Sequence, residues 1–169
     1  MMNCKVLIVS DSHGMTGELQ ELYNRHAVDV YIHCGDSELP AAHPALAGYS
    51  VVKGNCDFES AYPTNYVEKV NGLSIFVTHG HLYNVKMTLQ KIWYKAKEAG
   101  AQVACFGHSH IMGAELIEDV LLINPGSILL PRGRRERTYA LLDVQNKQAT
   151  VIFYELSGKE VAKESFVLQ

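Results

Sequence analysis

The sequence is poor in most of the features that place a chain at a glance. Its 169 residues hold four cysteines, five prolines and one tryptophan. Cys4, Cys34, Cys56 and Cys105 form no CxxC pair, and three of them lie in or beside apolar runs, where a thiol behaves as a small core side chain. These spacings argue against a zinc–thiolate centre and against a disulfide framework. No run approaches the roughly 20 apolar residues that span a bilayer. The opening stretch MMNCKVLIVSDSHG has one lysine and a very short apolar run before Asp11 and His13. It reads as a first strand and not as a secretory leader, so a cytoplasmic protein is expected. Excess charge is also missing: the net charge is −3 with histidine neutral, and the pI is about 6.2. That balance gives no whole-protein attraction to nucleic acid or to an anionic membrane. No repeat, low-complexity segment or linker divides the chain, so residues 1–169 are expected to form one domain.

What is present is an ordinary globular balance, 47% hydrophobic and 20% charged, together with eight histidines. The hydrophobic pattern alternates strands with helices over the first two thirds. Lys5–Ser10, Asp29–Cys34, Tyr49–Lys53 and Gln102–Phe106 read as buried strands. Tyr66–Val70 and Leu73–Thr78 flank Asn71-Gly72, a hairpin turn pair. Gly14–His26 and Asn84–Ala99 carry apolar residues at helical spacing, the second with Asn84 as N-cap, Gly100 as stop and Trp93 on its core face. Hairpins follow: Ala114–Ile117 with Val120–Asn124, then Tyr139–Val144 with Ala149–Glu155, then Glu160–Val167. The expected fold class is α/β, with about ten strands in two mixed sheets and helices outside.

The polar residues fall at particular places in this pattern. Five apolar strands each run into residues able to bind a metal: Asp11-Ser12-His13, Gly35-Asp36, Gly54-Asn55-Cys56-Asp57, His79-Gly80-His81 and Gly107-His108-Ser109-His110. Sites in α/β folds form at the carboxyl ends of strands, so five adjacent loops would converge on one place. Residues two apart at a strand exit project to the same side, which lets Asp11 with His13, and His108 with His110, grip a cation. Asp36 has two oxygens and can bridge two cations, while Asn55 offers a neutral amide oxygen. Singly each motif is weak; an Asp-x-His is usually a polar loop, and a lone buried histidine is usually a satisfied core residue. The combination favours metal. Seven ligand candidates exceed the need of one tetrahedral zinc, and two cations sharing Asp36 fit the count. Imidazole, carboxylate and amide oxygen without thiolate favour Mn, Zn, Fe, Ni or Co.

The ordered set DSH, GD, GNCD, HGH and GHSH, followed by Asn124-Pro125-Gly126-Ser127, resembles the calcineurin-like metallophosphoesterases, in particular the small branch that includes the YfcE phosphodiesterase. The resemblance implies a four-layer α/β/β/α sandwich and a hydrolase acting on phosphodiesters or phosphomonoesters through two divalent cations, manganese foremost. Carried onto this chain, one cation takes Asp11, His13, Asp36 and His110, and the other takes Asp36, Asn55, His79 and His108. A bridging hydroxide would attack phosphorus in line with the leaving oxygen. Asn55, His108 and His81 are the residues expected to act in catalysis.

The sequence departs from the wider superfamily at the third motif, where Asn55-Cys56-Asp57 lacks the histidine thought to protonate the leaving group. His81 and Asp57 are the candidate substitutes, and esters with good leaving groups are expected to react best. The arginines at 132, 134, 135 and 137 read either as phosphate contacts or as a solvated loop, with Arg132 the one placed to reach the site. Two rivals remain. A protein-binding scaffold resembling the retromer coat subunit would lack part of the histidine set that is complete here. A nuclease would want an extended basic, aromatic-rich stretch. A metallo-β-lactamase type would need an HxHxDH run, which is absent. The C-terminal hairpins offer a sheet edge through which copies of the chain could pair.

Overall fold

In a computed structural model describing residues 2–169, the chain folds into two mixed β-sheets packed face to face. The elements run β1 (Asn3–Val9), α1 (Gly17–Arg25), β2 (Val30–His33), β3 (Tyr49–Val51), β4 (Asn65–Val70), β5 (Leu73–Thr78), α2 (Gln90–Glu98), β6 (Val103–Cys105), β7 (Gly113–Ile117), β8 (Val120–Asn124), β9 (Thr138–Gln145), β10 (Gln148–Glu155) and β11 (Glu160–Val167). A single 3-10 turn at Pro44–Leu46 precedes β3. The first sheet has the order β11-β10-β9-β1-β2-β3 and the second β4-β5-β6-β8-β7.

Alternation along the strands produces the layers. In β1, Val6 and Ile8 point into the core between the sheets, where Ile75, Val77, Val103 and Cys105 of the second sheet meet them. Leu7 and Val9 point the other way and pack against Leu19 and Leu22 of α1. On the far side, Ile92 and Ala96 of α2 cover Phe76, Ala104 and Leu122. The result is the four-layer sandwich, with both faces of the parallel strands buried, as runs such as VLIV require.

The parallel pairs β1–β2, β2–β3, β5–β6 and β6–β8 all point the same way at one edge. Their carboxyl ends carry the polar loops. The antiparallel hairpins extend the sheets away from them, and Asn71-Gly72 turns β4 into β5 with both residues at positive φ, as that dipeptide favours.

The described residues form eleven strands, in keeping with the expected count of about ten. Two expectations about the helices need correction. The first helix starts at Gly17 and not at Gly14, because the preceding loop is tied elsewhere: the His13 N–H donates to Asp36 O and the Gly14 N–H to Ser37 O. The second helix starts at Gln90, and Asn84 is not its N-cap. Asn84 has a φ of 54° and heads a turn, while Thr88 Oγ1 accepts the Gln90 N–H at 3.2 Å. Val85 and Leu89 still pack on the sheet, so the apolar periodicity was read correctly and the backbone was not.

Candidate metal centre

Asp11 stands two residues beyond β1 and is buried. Its two oxygens have different fates. Oδ2 accepts from Ser10 Oγ at 2.7 Å and from the His108 N–H at 3.1 Å. Oδ1 is buried without a hydrogen-bond partner. Three imidazole nitrogens face it, His110 Nε2 at 3.3 Å, His79 Nε2 at 3.7 Å and His13 Nε2 at 3.8 Å. His13 Nε2 is likewise buried and unpartnered.

Asp36 leaves β2 through Gly35. Its Oδ1 accepts the Cys56 N–H at 2.8 Å, and its Oδ2 lies 3.2 Å from His79 Nε2. Asn55 Oδ1 meets that same nitrogen at 3.1 Å. His108 completes the set with its ring 5.1 Å from that of His79. All seven residues expected to bind metal are therefore brought together from five strand ends.

The rings are oriented from behind. His79 Nδ1 donates to Cys34 O at 2.8 Å and His110 Nδ1 to Leu130 O at 2.7 Å. With Nδ1 committed as donor, each Nε2 is the nitrogen turned inward, the arrangement that prepares an imidazole as a ligand. Burial alone would raise the Asp11 pKa, but His110, His79 and the Ser10 hydroxyl hold it below the usual range. Burial is likewise overridden at Asp36, where His79 and the Cys56 N–H keep the carboxylate ionised. His79 and His110 are raised by their carboxylate neighbours, His79 against the effect of its own burial. His108 goes the other way, pushed down to about 4 by burial and by the charges of His79 and Lys86.

This donor set fits divalent cations. A buried carboxylate oxygen with no donor and a buried imidazole nitrogen with no partner are costly unless something positive lies between them. The ligand atoms of Asp11, His13 and His110 lie within 4.8 Å of one another, as do those of Asp11, Asp36 and His79.

The backbone is fitted to the same end. Asp11, His13, Asp36, His108 and His110 all have positive φ, which turns their side chains into the cleft. Two glycines serve by lacking a side chain. A Cβ on Gly54 would sit 2.0 Å from Asp36 Oδ1, and one on Gly107 would sit 2.5 Å from Asp11 Oδ2.

The remaining sequence candidates divide. His81 lines the site, its ring 5.3 Å from that of His79, and its Nδ1 is buried without a partner. Asp57 does not stand free as a proton donor. Its carboxylate accepts the N–H groups of Asp36 at 2.9 Å, Glu38 at 2.8 Å and Gly54 at 2.7 Å, so it clamps two ligand loops together. Arg132 is exposed beside His110, whose carbonyl accepts its N–H at 2.9 Å. Arg134, Arg135 and Arg137 are exposed along the same loop, and Arg134 lies 4.0 Å from Glu136.

Sequence reasoning missed His33. It is fully buried at the end of β2, accepts the Gly35 N–H on Nδ1 at 3.0 Å and meets Ser12 Oγ with Nε2 at 2.8 Å. It is thereby a neutral Nε2–H tautomer that ties the Asp11–His13 loop to the Asp36 loop. Burial pushes its pKa down to about 4. Ser127, named only as the last residue of the Asn124–Ser127 motif and given no role there, donates its hydroxyl to Asp11 O at 2.7 Å and accepts the Leu130 N–H at 2.8 Å. The ligand-like HCGD and NPGS strings were the available signals, but a histidine ending a strand looks the same whether it faces the site or supports it.

Comparison with known proteins bears on this geometry. The family model for the calcineurin-like phosphoesterase superfamily domain matches residues 4–147. The probable metallophosphoesterase YsnB of Bacillus subtilis is 53% identical over 158 residues, 92% of this chain and 94% of that protein. The phosphodiesterase YfcE of Escherichia coli is 26% identical over 82% of this chain and 87% of its own length. A crystal structure of a conserved uncharacterized protein of Streptococcus pneumoniae, described as a predicted phosphoesterase, superposes with a TM-score of 0.95 at 35% identity, covering 99% of each chain. Vps29 of Chaetomium thermophilum superposes with a TM-score of 0.79 at 19% identity over 98% of this chain and 97% of its own, a likeness of fold alone. With its ligand loops converged on one buried carboxylate and most of its length matched, the chain belongs to the calcineurin-like phosphoesterase superfamily.

Proposed function

We propose that residues 1–169 act as one metallophosphoesterase domain that hydrolyses small phosphodiesters with two divalent cations, manganese foremost. Asp11, His13, Asp36 and His110 would hold one cation. Asp36, Asn55, His79 and His108 would hold the other. The observation that carries this reading is Asp11 Oδ1, buried, without a donor, and ringed by three imidazole nitrogens. When bound, the cations supply Lewis acidity to a phosphoryl oxygen and to the attacking water.

The chain's own residues do the rest. Asp11 and Asp36 remain anionic in a buried place. The carbonyls of Cys34 and Leu130 aim His79 and His110 inward. Asp57 and His33 hold the loops so that little reorganises during reaction. His81, with an unpartnered Nδ1 beside His79 and His108, is the residue assigned to pass a proton to the leaving oxygen, since Asp57 is committed to three N–H groups. Esters with good leaving groups are favoured, and His81→Gln lowers turnover of alkyl esters more than that of aryl esters. Equal losses on both would remove His81 from that role. The four unpaired cysteines, three of them buried, suit a reducing compartment and support a cytoplasmic placement.

The deciding experiment is hydrolysis of bis-(p-nitrophenyl) phosphate by metal-stripped protein with and without manganese, beside Asn55→Ala. Turnover that needs manganese and falls at least ~10²-fold in the variant is expected. A folded protein inactive with every first-row metal would reject the enzymatic reading and favour a binding role.

A further inference from the structure

Of the eight exposed large apolar side chains among the described residues, five, Phe58, Leu82, Met87, Ile111 and Leu130, stand in or beside the loops that bear the site residues, and Phe58 is 98% exposed. Singly exposed apolar groups are ordinary, but a collection around one cleft marks a place where something apolar is received.

A cavity of about 280 Å³ opens next to that cleft, between the turn at residues 85–89 and the segment at residues 109–115. Its walls include Val85, Leu89, Phe106 and Ile111. Ser109, which lines it, sits between His108 and His110, so one loop walls both the metal cleft and the cavity. Two charged residues line the cavity. Lys86 lines the same cavity as Ser109 and is its one cationic wall residue. Glu115 belongs to β7 and repels an anion entering from that side. Pockets for whole ligands occupy roughly 300–1,000 Å³, so this one suits part of a ligand.

We propose that this cavity seats one ester group of the substrate, and that the substrate class is a phosphodiester bearing a compact aromatic or branched apolar group. The phosphate stays at the metal cleft, Lys86 draws the anion to the near end, and the apolar group lies against Val85, Leu89, Phe106 and Ile111. This rests on the phosphodiesterase reading above.

Gly113 gives access to the test. It lines the cavity, its φ is not in the left-handed region, and a Cβ there would meet nothing within 4 Å. Gly113→Phe therefore places a ring at the cavity wall with room for its Cβ, at a position that is not one of the metal ligands. Two esters with the same leaving group, phenyl p-nitrophenyl phosphate and methyl p-nitrophenyl phosphate, isolate the retained ester group. The wild-type protein with manganese is expected to show a KM ~10-fold lower for the phenyl ester. Gly113→Phe should erase that difference while leaving kcat on the methyl ester unchanged. Lys86→Gln should raise KM for both esters alike.

A measurement without catalysis stands beside it. Diphenyl phosphate should raise the melting temperature of manganese-loaded protein more than dimethyl phosphate does, and Gly113→Phe should cancel the excess. Turnover of both esters with equal KM, or an equal loss on both in Gly113→Phe, would overturn the seat and leave the phosphodiesterase reading standing. No turnover of either ester would overturn both.

Discussion

Among the places where the chain enters the left-handed region, the hairpin turns and the metal cleft use it differently. At the hairpin turns the residues with positive φ are Asn71, Gly72, Glu118, Asn146 and Gly158, four of them of types that tolerate it. At the metal cleft they are Asp11, His13, Asp36, Glu38, His108 and His110. A turn selects a residue for its backbone, whereas the cleft selects it for a side-chain atom and accepts a backbone cost of about 1 kcal/mol or more at each. Fixed neighbours hold that strain. The Asp11 N–H donates to Gly35 O at 3.0 Å, and the Gly107 N–H to His79 O at 2.9 Å.

The largest test of this contrast is at the glycines. Gly54→Ala and Gly107→Ala would drive a methyl group onto Asp36 and onto Ser10 and Asp11, with separations of 2.0–2.5 Å before any movement. Both variants should lose metal-dependent turnover by ~10³-fold or more, as expected when preorganised donors are displaced. Gly100→Ala has open space around its new Cβ and a φ of 72°, so it should cost only about 1 kcal/mol in melting and keep its activity.

His33→Ala comes next. Removing the tie between Ser12 and Gly35 should weaken manganese affinity ~10–100-fold, the usual effect of losing support behind a ligand. Titration of metal-stripped protein reads this directly, and an unchanged affinity would mean that the loops hold themselves.

A smaller effect separates stability from function. His108→Gly should relieve its left-handed backbone and raise the melting temperature of metal-free protein by ~2–4 °C, while turnover collapses. Asn146→Gly, in a turn remote from the cleft, should leave turnover untouched. A fall in melting temperature for His108→Gly would show that the site's backbone is not strained.

The smallest effect is one of pH, and it lies far from the metals. His26 Nε2 accepts from the Tyr139 hydroxyl at 2.7 Å, and burial together with Arg25 lowers its pKa from 6.5. The unfolded chain takes up a proton near 6.5 while the folded chain does not, so this contribution is complete above 6.5 and shrinks as pH falls toward the folded value. Urea midpoints at pH 7.5 and 5.5 should therefore differ less in His26→Gln than in the wild-type protein.

Much of this was legible in the sequence because short-range rules govern it. Strands such as Leu73–Thr78 announce themselves by apolar runs, and the Asn71-Gly72 turn by its own backbone preference. Asp11, His13, Asp36, Asn55, His79, His108 and His110 were readable as one set because each follows a strand, and strands side by side deliver their ends to one edge. The starts of both helices were misread. Residues 11–14 bond across to the Asp36 loop, as from the His13 N–H to Asp36 O, and residues 80–88 close local turns, as from the Tyr83 N–H to Gly80 O, neither of which helical periodicity registers.

The sequence by itself determined two mixed sheets with seven polar residues at strand ends, since hydrophobic alternation is a local property, and its ordered motifs carried the resemblance to the family. Only the tertiary structure decided which polar groups are spent. Asp57, free on paper, is consumed by three N–H groups, and His33, unremarked, holds two loops together. A buried polar group must be satisfied by whichever partner the fold brings to it, and partners 21 residues away along the chain are chosen by packing of the whole.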